Sequence, residues 1–307
     1  MEIFADLQTV KYANKRLVIA LGTFDGVHLG HRSIIRQAQQ LAIEFAGSLA
    51  VLTFADHPLT VLNSQLTPSR ITSREERREL LMAMGVEVLI ELPFTMQLAN
   101  LTAADFVEML QKDVEPLALV VGENFTFGKG ASGNAVTLAA LAKEKGIRTA
   151  ICPLVFIDGE TVSSTRLRQL LPTGNLPLIN QCLGYEYFIV GQVEHGFERG
   201  RQLGFPTANL SIDGKKASLP DGVYAVKVHI GEKIFGGVAN IGCNPTFGKI
   251  KRLLEVHIFD FDEDVYGQNL QVDFVAYLRG EQKFSSPDGL IQQIEKDKQN
   301  ARKILGV

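Results

Sequence analysis

The sequence predicts two domains of different fold class: an α/β domain built on a doubly wound parallel sheet, followed by a small closed β-barrel with a terminal helix. With 307 residues, the chain is long enough for two ordinary domains. Short apolar runs alternate with amphipathic segments in the first half, which is the order of a parallel sheet covered by helices. The second half has closely spaced strand-like runs without helical segments between them, which favours a barrel.

The boundary between the two domains is predicted at residues 183 and 184. The segment PTGNLPLINQCLGYEY is rich in proline, glycine and asparagine, and the hydrophobic pattern changes after it. We therefore expect one domain over residues 1–183 and a second over residues 184–307.

In the first domain, apolar runs predict strands at 16–22, 48–54, 86–93, 117–122 and 148–157. Helical spacing predicts helices after residue 31 and over 72–84, 102–114 and 135–146. Ser73 and Glu76 have the spacing of a capping box, and Thr102 is placed to cap the next helix. Ligands of such sheets bind at the carboxyl ends of the strands, where this chain has glycine-rich turns.

In the second domain, strands are predicted at 187–193, 222–230, 233–241, 253–261 and 270–278. Five or six short strands without intervening helices suggest a closed barrel. The last segment, 286–305, is predicted to form a capped helix that packs against it.

Composition indicates a soluble globular protein. The net charge of −3 gives no indication of a nucleic-acid or anionic-membrane partner. The three cysteines, Cys152, Cys182 and Cys243, lack the spacing of a zinc site or a disulfide framework. No run of 18 apolar residues and no secretory-signal pattern is present, so we expect a cytoplasmic protein.

The stretch GTFDGVHLGH at 22–31 is the first candidate site. A strand, a turn and a helix in this order aim the unpaired N–H groups and the positive dipole end of the helix at the turn, which attracts phosphate. His28 lies in the turn and His31 in the first helical turn, so both imidazoles could reach one anion. The alternative is that both are ordinary polar turn residues, but the surrounding glycines favour the anion site.

The segment GENFTFGKGASGN follows another predicted strand and offers Asn124 with Phe125 and Phe127. It is interpreted as a ligand loop. The alternative is a flexible surface loop in which the two aromatic side chains are packing anchors.

In SSTRLR, Ser164 and Thr165 can present hydroxyls at a helix N-terminus, and Arg166 and Arg168 can pair with phosphate. Because the two arginines are two positions apart, they cannot share one helical face, so at most one is expected to serve the phosphate. Three further arginines, Arg74, Arg77 and Arg78, could flank a phosphate but more readily form a solvated helix face.

The second candidate site lies in GQVEHGFERGRQLGFPTANL. No GxxxxGK[ST] sequence occurs, so ATP would not be held by a Walker loop. On a strand, Thr207 and Asn209 would face the same side and suit a hard cation such as Mg²⁺ between nucleotide phosphates. The alternative is a hairpin with an ordinary turn.

Glu255 lies in an otherwise apolar strand, where a carboxylate needs a partner or a function. Glu255 and His257 alternate to one face of that strand, and the apolar residues Leu254, Val256 and Ile258 take the other. The alternative is an exposed strand face.

Four motifs in order, GTFDGVHLGH, TFADHP, GENFTFG and SSTRLR, resemble the adenylyltransferase module of the bifunctional riboflavin kinase and FAD synthetase family of prokaryotes. The motifs GRQLGFPTAN, GVYAV, GVANIGCNPTF, LEVHIFDFDEDVYG and LRGEQKF resemble the riboflavin kinase module of that family. His-x-Gly-His alone would indicate the wider nucleotidylyltransferase superfamily, whereas the ordered set spans nearly the whole chain.

The resemblance implies a nucleotidylyltransferase domain followed by a riboflavin kinase barrel, with one set of site residues in each. In the adenylyltransferase module, the phosphate and nucleotide contacts implied or assigned are Gly22, Phe24, Asp25, His28, His31, Asn124, Ser164, Thr165 and Arg168. In the kinase module they are Gly204, Thr207 and Asn209 for Mg²⁺ and ATP, with Glu255 as the catalytic base. Flavin contacts are assigned to Phe54, Phe125 and Phe127.

The resemblance also implies two reactions that make different chemical demands. Riboflavin has an alcohol that needs a base before it can attack ATP to give FMN. The FMN phosphate, with a second pKa of about 6, is already largely ionised at pH 7 and needs no base to attack a second ATP and give FAD. The two histidines are therefore expected to donate to phosphate and to be neither bases nor metal ligands.

Three other functions remain open at this point. The first is a nucleotidylyltransferase for another phosphate ester with the barrel as an accessory. The second is an RNA-binding or RNA-charging protein, against which the lack of a KMSKS-like motif argues. The third is a flavin-storing protein without catalysis, against which Thr207, Asn209 and Glu255 argue together.

Overall fold

The computed structural model describes residues 1–12, 15–194, 204–246 and 249–307. The chain forms two compact units, Met1–Ser164 and Thr165–Val307. The predicted site segment 195–203 and residues 247–248 of the motif GVANIGCNPTF lie outside the described residues.

The first unit contains a parallel sheet with short accessory hairpins. Its strands are β1 (Glu2–Phe4), β2 (Leu17–Leu21), β3 (Ser48–Phe54), β4 (Val88–Leu92), β5 (Ala118–Gly122), β6 (Thr126–Phe127), β7 (Gly133–Asn134), β8 (Arg148–Cys152), β9 (Phe156–Ile157) and β10 (Glu160–Thr161). Six of these form one sheet in the order β1-β4-β3-β2-β5-β8, and every pairing in it is parallel.

Helices cover both faces of that sheet. They are α1 (Leu7–Tyr12), α2 (Leu29–Glu44), α3 (Leu59–Leu62), α4 (Arg74–Ala83), α5 (Met96–Ala99), α6 (Ala103–Asp113) and α7 (Ala135–Glu144). One apolar core joins one face of the sheet to α1, α6 and α7, and a second core joins the other face to α2 and α4. The predicted doubly wound parallel sheet is therefore confirmed, as are the capping box of α4 and the Thr102 cap of α6.

The order of the strands places a topological switch point beside β2. The chain runs from β2 outward through β3 to β4, and it returns on the other side of β2 to form β5 and β8. The turns that follow β2 and β5 therefore leave the same edge of the sheet from neighbouring strands, which is where open α/β sheets bind ligands.

Two differences from the predicted pattern lie near the two ends of this unit. β1 and α1 were not predicted, because a strand of 3 residues and a helix of 6 are too short to show a period. The apolar run at 148–157 is one strand only as far as Cys152. Pro153 follows, and Phe156–Ile157 pairs instead with Glu160–Thr161 as a hairpin.

The second unit contains a closed antiparallel barrel. Its strands are β11 (Phe188–Glu194), β12 (Ala208–Ser211), β13 (Gly222–Ile230), β14 (Lys233–Thr246), β15 (Lys249–Ile258) and β16 (Asn269–Arg279). They close in the order β11-β12-β15-β14-β13-β16, with β16 pairing back onto β11. The predicted barrel is confirmed, and Leu254 and Val256 of β15 are fully buried in it.

In the described part of this unit, the helices that belong to it at least in part are α8 (Ser164–Leu170), α9 (Leu176–Leu183) and α10 (Pro287–Leu305). Asn180 of α9 donates to the carbonyl of Phe274 in β16 and accepts from the Tyr187 amide, which ties α9 to the barrel. The predicted terminal helix is α10, and its buried Asp297 accepts hydrogen bonds from Arg279 at 2.8–3.2 Å. Within the described residues, no helix combines the length and apolar character needed to cross a bilayer.

Candidate functional site

The first candidate site is the turn between β2 and α2. The five residues of β2 are buried, and α2 begins directly after His28. His28 is the N-cap of α2: its Nδ1 accepts a hydrogen bond of 3.3 Å from the main-chain N–H of His31. Because Nδ1 accepts, the proton of the neutral ring lies on Nε2, and Nε2 is a hydrogen-bond donor.

His28 and His31 lie together as the sequence predicts. Their rings are stacked with centroids 3.7 Å apart and planes inclined by 18°. His28 is only 5% exposed, and His31 also contacts the Phe24 ring at 5.1 Å. The two imidazoles therefore form one packed unit at the start of a 16-residue helix, where the helix dipole favours an anion.

Glycine avoids close contacts at two positions near the switch point, one of them beside the His28 ring. A Cβ at Gly30 would lie 3.1 Å from Cε1 and 3.2 Å from Nδ1 of His28. A Cβ at Gly122, the last residue of β5, would lie 3.1 Å from Oδ1 of Asn124. The turn after β2 and the turn after β5 are thus both closely packed at the switch point.

Asp25, predicted to contact the nucleotide, anchors the turn from within the protein. Its carboxylate accepts the main-chain N–H groups of Ile71 and Thr72 at 3.0–3.2 Å. The Thr72 hydroxyl in turn accepts the Gly26 N–H at 3.1 Å. These bonds fix the turn to the segment that leads into α4, and the predicted nucleotide contact of Asp25 stays a prediction.

The turn has an uncommon backbone conformation. Phe24 and Val27 have φ angles of +50° and +33°, and both side chains are fully buried. Positive φ is unfavourable for residues other than glycine, above all for a β-branched residue such as valine. The surrounding contacts must therefore hold the turn in place.

The segment SSTRLR reaches this site through its first helical residue. The hydroxyl of Ser164 donates to the carbonyl of Asp25 at 2.9 Å. Thr165 and Arg168 follow in α8 and belong to the second unit. Their role at the phosphate stays a prediction.

The predicted flavin contacts lie on or near the apolar core of the first unit. Phe127 is buried, stacks on Phe125 at 5.6 Å and contacts Phe106 at 5.4 Å. Phe54 packs edge-on against Phe94 at 5.0 Å. Packing accounts for Phe127, as the alternative interpretation proposed, whereas Asn124 is exposed at the carboxyl edge of the sheet.

The arginines of α4 do not form the expected solvated face. Arg74, Arg77 and Arg78 all pair with Glu91, at distances of 2.5–3.0 Å. Glu91 lies in β4 and is 1% exposed. Burial raises the pKa of this carboxyl, but hydrogen bonds from Arg78 and Arg77 outweigh burial and hold the pKa below its usual range.

The second candidate site is a row of polar side chains on the outer face of the barrel. Glu255 of β15 pairs directly with Asn209 of β12 on one side and with Asn240 of β14 on the other. Cβ atoms of directly opposed residues lie about 4.5–5.5 Å apart. The predicted alternation is confirmed, because Leu254 and Val256 are buried inward while Glu255 is half-buried on the other face.

Asn240 was not singled out from the sequence. It lies between the buried residues Ala239 and Ile241, so the signal that could have identified it is a polar residue alternating with an apolar face.

A cavity of about 340 Å³ lies beside this row. It runs between residues 206–209 and residues 261–266, and Val256 and Ile258 form part of its wall. Thr207 and Asn209 both line it. Thr207 precedes β12, and the Asn209 amide donates to the Thr207 carbonyl at 3.3 Å, so the side-chain oxygen of Asn209 takes no part in that bond.

Gly204, assigned to the same site, lies in an exposed turn with a φ of +87°, which glycine adopts without strain. On the same outer face, Nδ1 of His257 donates a 2.9 Å hydrogen bond to the Pro206 carbonyl, because that carbonyl can only accept; Nδ1 is therefore protonated. Burial lowers the pKa of His257, and the Pro206 carbonyl opposes that shift.

The donor atoms at Thr207 and Asn209 fit a magnesium ion bound with a nucleotide. Both side chains carry neutral oxygens, and Mg²⁺ is commonly held by few protein ligands plus phosphate oxygens and waters. Within the described residues, no group of three or more histidine, cysteine, aspartate or glutamate side chains could hold a metal ion by itself. The fit therefore depends on phosphate ligands from ATP.

Comparison with known proteins identifies the family. The riboflavin kinase family model matches residues 183–305, and the FAD synthetase family model matches residues 10–166. The chain belongs to the bifunctional riboflavin kinase/FMN adenylyltransferase family. The barrel therefore has a matching family of its own, which disfavours an accessory role for it.

Relatives match both units of the chain. The bifunctional riboflavin kinase/FMN adenylyltransferase of Bacillus subtilis is 38% identical over 95% of this chain and 93% of its own. That of Escherichia coli is 37% identical over 94% and 93%. A crystal structure described as a macrolide-efflux protein from Streptococcus pneumoniae has a TM-score of 0.88 at 32% identity and covers 98% of this chain and 99% of that one.

Proposed function

We propose that the two activities of the family are divided between the two domains of this chain. Residues 1–183 adenylylate FMN with ATP to give FAD and pyrophosphate. Residues 184–307 phosphorylate riboflavin with ATP to give FMN and ADP. The observation that carries the proposal is that the chain contains two polar sites of opposite chemical character: stacked imidazoles at a helix N-terminus, and a carboxylate in a polar row beside a cavity.

In the second domain, Glu255 is the base. It accepts the proton of the riboflavin alcohol while the alcohol oxygen bonds to the γ-phosphorus of ATP and the bond from that phosphorus to the bridging oxygen breaks. Asn209 and Asn240 flank Glu255 on the neighbouring strands and help to orient the carboxylate and its substrate. A positioned base contributes about 10²–10⁴-fold to such a step.

Thr207 and Asn209 would hold Mg²⁺ at the edge of the same cavity, together with phosphate oxygens of ATP. When bound, the ion neutralises charge on the transferring phosphoryl group. The two side chains would place the ion near the base, because Thr207 and Asn209 lie on one segment and Asn209 is directly opposite Glu255.

In the first domain, no base is required. An oxygen of the FMN phosphate attacks the α-phosphorus of ATP, and pyrophosphate leaves. His28 donates from Nε2 to a phosphate oxygen, because its Nδ1 is used to cap α2. Preorganised donors of this kind stabilise developing charge without reorganisation, and removal of one costs about 10²–10³-fold in rate.

His31, Asn124, Ser164, Thr165 and Arg168 are the other residues we propose at this phosphate site, with Gly22, Phe24 and Asp25 shaping the turn. Phe54 and Phe125 are proposed flavin contacts at the carboxyl edge of the sheet. We also propose a cytoplasmic location, where ATP is available for both reactions.

The test uses the full chain with two variants. His28→Ala should reduce FAD formation from supplied FMN by at least 10²-fold and leave FMN formation from riboflavin within twofold of the unmodified protein. Glu255→Gln should have the opposite effect, with kinase activity lost and adenylylation intact. Equal loss of both activities in either variant would contradict the division.

A further inference from the structure

Arg77 connects the ends of three neighbouring strands in the first unit. Its Nη1 donates to the carbonyl of Thr23 at 3.3 Å, and its Nη2 donates to the carbonyl of Phe54 at 3.0 Å. Nη2 also donates to Oε1 of Glu91 at 2.9 Å. Thr23 is in the turn after β2, Phe54 ends β3, and Glu91 is the penultimate residue of β4.

Arg77 is the most buried of the three arginines around Glu91. Its side chain is 11% exposed, whereas those of Arg74 and Arg78 are 38% and 32% exposed. Among the described contacts, the hydrogen bonds of Arg74 and Arg78 go to Glu91, and those of Arg77 also reach the main chain. A planar guanidinium can serve several fixed acceptors at once, which a lysine ammonium cannot do with the same geometry.

The two carbonyls that Arg77 holds belong to segments already placed at the candidate site. Thr23 precedes Phe24, whose φ is positive, and lies five residues before the N-cap His28. Phe54 is the last residue of β3 and the second residue of the motif TFADHP. A turn with positive φ at Phe24 and Val27 stays in place only if its surroundings hold it.

Several contacts that hold the turn come from the residues just before α4 and from α4 itself. Ile71 and Thr72 donate to Asp25, and Thr72 accepts from Gly26, immediately before α4 begins. Arg77, one turn into α4, adds the bonds to Thr23 and Phe54. The buried carboxylate of Glu91 fixes the guanidinium from the other side.

We propose that Arg77 is a positioning residue for adenylylation. It fixes the carbonyls of Thr23 and Phe54, and through them the turn that presents His28 and His31 to the nucleotide. The proposal rests on the assignment of FMN adenylylation to the first domain. Arg77 itself touches neither substrate in this account.

The experiment measures both activities of the full chain for Arg77→Gln, Arg77→Lys and the matched control Arg78→Gln. A glutamine side chain at position 77 is shorter than arginine and has fewer N–H donors, so it cannot bond to Thr23, Phe54 and Glu91 at once. Arg78→Gln also removes one positive charge beside Glu91, but it leaves the main-chain carbonyls of Thr23 and Phe54 bound to Arg77. Thermal unfolding of each variant shows that the protein is folded.

For Arg77→Gln we expect kcat for FMN adenylylation to fall about tenfold and the KM for ATP to rise at least fivefold, since a shift of the reacting groups by well under 1 Å has effects of this order. Riboflavin phosphorylation should stay within twofold. Arg78→Gln should leave the KM for ATP unchanged, and Arg77→Lys should be intermediate.

An unchanged KM for ATP in folded Arg77→Gln, or an equal rise in Arg78→Gln, would overturn the proposal. If Arg77→Gln does not fold, Arg77→Lys decides, because it keeps the charge beside Glu91: unchanged adenylylation kinetics would overturn the proposal, and a raised KM for ATP would support it. His28→Ala in the same assay tests the assignment of adenylylation to the first domain separately from the role of Arg77. If adenylylation survives that change, the assignment of the domain is contradicted.

Discussion

Replacing Gly30 with alanine tests whether the position of the His28 ring controls adenylylation. The new Cβ would lie 3.1 Å from Cε1 and 3.2 Å from Nδ1 of His28, and 3.5 Å from the carbonyl of Val162. Carbon atoms pack optimally at about 3.5–4.0 Å, so the ring must move by about 0.4 Å or more. It has little room, because it is 5% exposed and stacked on His31.

The magnitude follows from that displacement. A misplacement of about 1 Å can cost about 10²-fold in rate, so a shift of about 0.4 Å should cost about fivefold to tenfold. The same shift lengthens the 3.3 Å bond from the His31 N–H to Nδ1 of His28. Alanine is a better helix former than glycine by up to about 1 kcal/mol, so helix propensity should not lower stability.

The assay is steady-state FAD formation from supplied FMN, with riboflavin phosphorylation by the same protein as an internal reference. Gly214→Ala is the control, since a Cβ at this position has no described heavy atom within 4 Å apart from residue 214 itself and its two chain neighbours. We expect slower adenylylation in Gly30→Ala alone, with an unchanged or higher thermal midpoint. Unchanged adenylylation in folded Gly30→Ala would refute the reasoning, and so would an equal loss of kinase activity.

Two further predictions concern stability. Glu91→Gln should lower the free energy of unfolding of the first unit by about 3 kcal/mol in urea unfolding. This is at the low end of the cost of breaking a buried ion pair, because two of the arginines that pair with Glu91 are about a third exposed. The control Glu108→Gln, at an exposed ion pair, should change the free energy of unfolding by no more than about 0.5 kcal/mol, and an effect equal to that of Glu91→Gln would contradict the prediction. Because the pKa of Glu91 is lowered in the fold, its contribution is present above its ordinary value of 4.5 and is lost as the pH falls below it. The pKa of His257 is also lowered, so the neutral ring contributes stability above its ordinary value of 6.5 that is lost as the pH falls. The thermal midpoint should therefore fall more steeply from pH 7.5 to 5.5 in the unmodified protein than in His257→Gln, and parallel curves would contradict that.

The repeating parts of the fold are predictable from the sequence. The strands of the first unit from β2 to β5 and its main helices follow from apolar periodicity, and the barrel follows from strands without intervening helices. What the period does not show is pairing between distant segments. The strand β1 forms by pairing with β4, and the barrel closes only when β16 pairs with β11.

The candidate sites follow the same division. The strand-turn-helix setting of His28 and the outward face of Glu255 are local properties, and both are visible in the sequence. The capping bond to Nδ1 of His28 and the positive φ of Val27 depend on three-dimensional packing. The partner of Arg77 could not be predicted, because Glu91 lies in a different element and appears in the sequence as one polar residue within an apolar strand.

The central claim, that one chain has two separate ATP-using sites, is tested most directly by mixing the two inactive variants. Neither His28→Ala nor Glu255→Gln alone should convert riboflavin to FAD. An equimolar mixture with ATP and Mg²⁺ should do so, because FMN made by His28→Ala can diffuse to the intact adenylylation site of Glu255→Gln. A mixture of folded variants that makes no FAD, or a single variant that makes it unaided at the normal rate, would contradict the account.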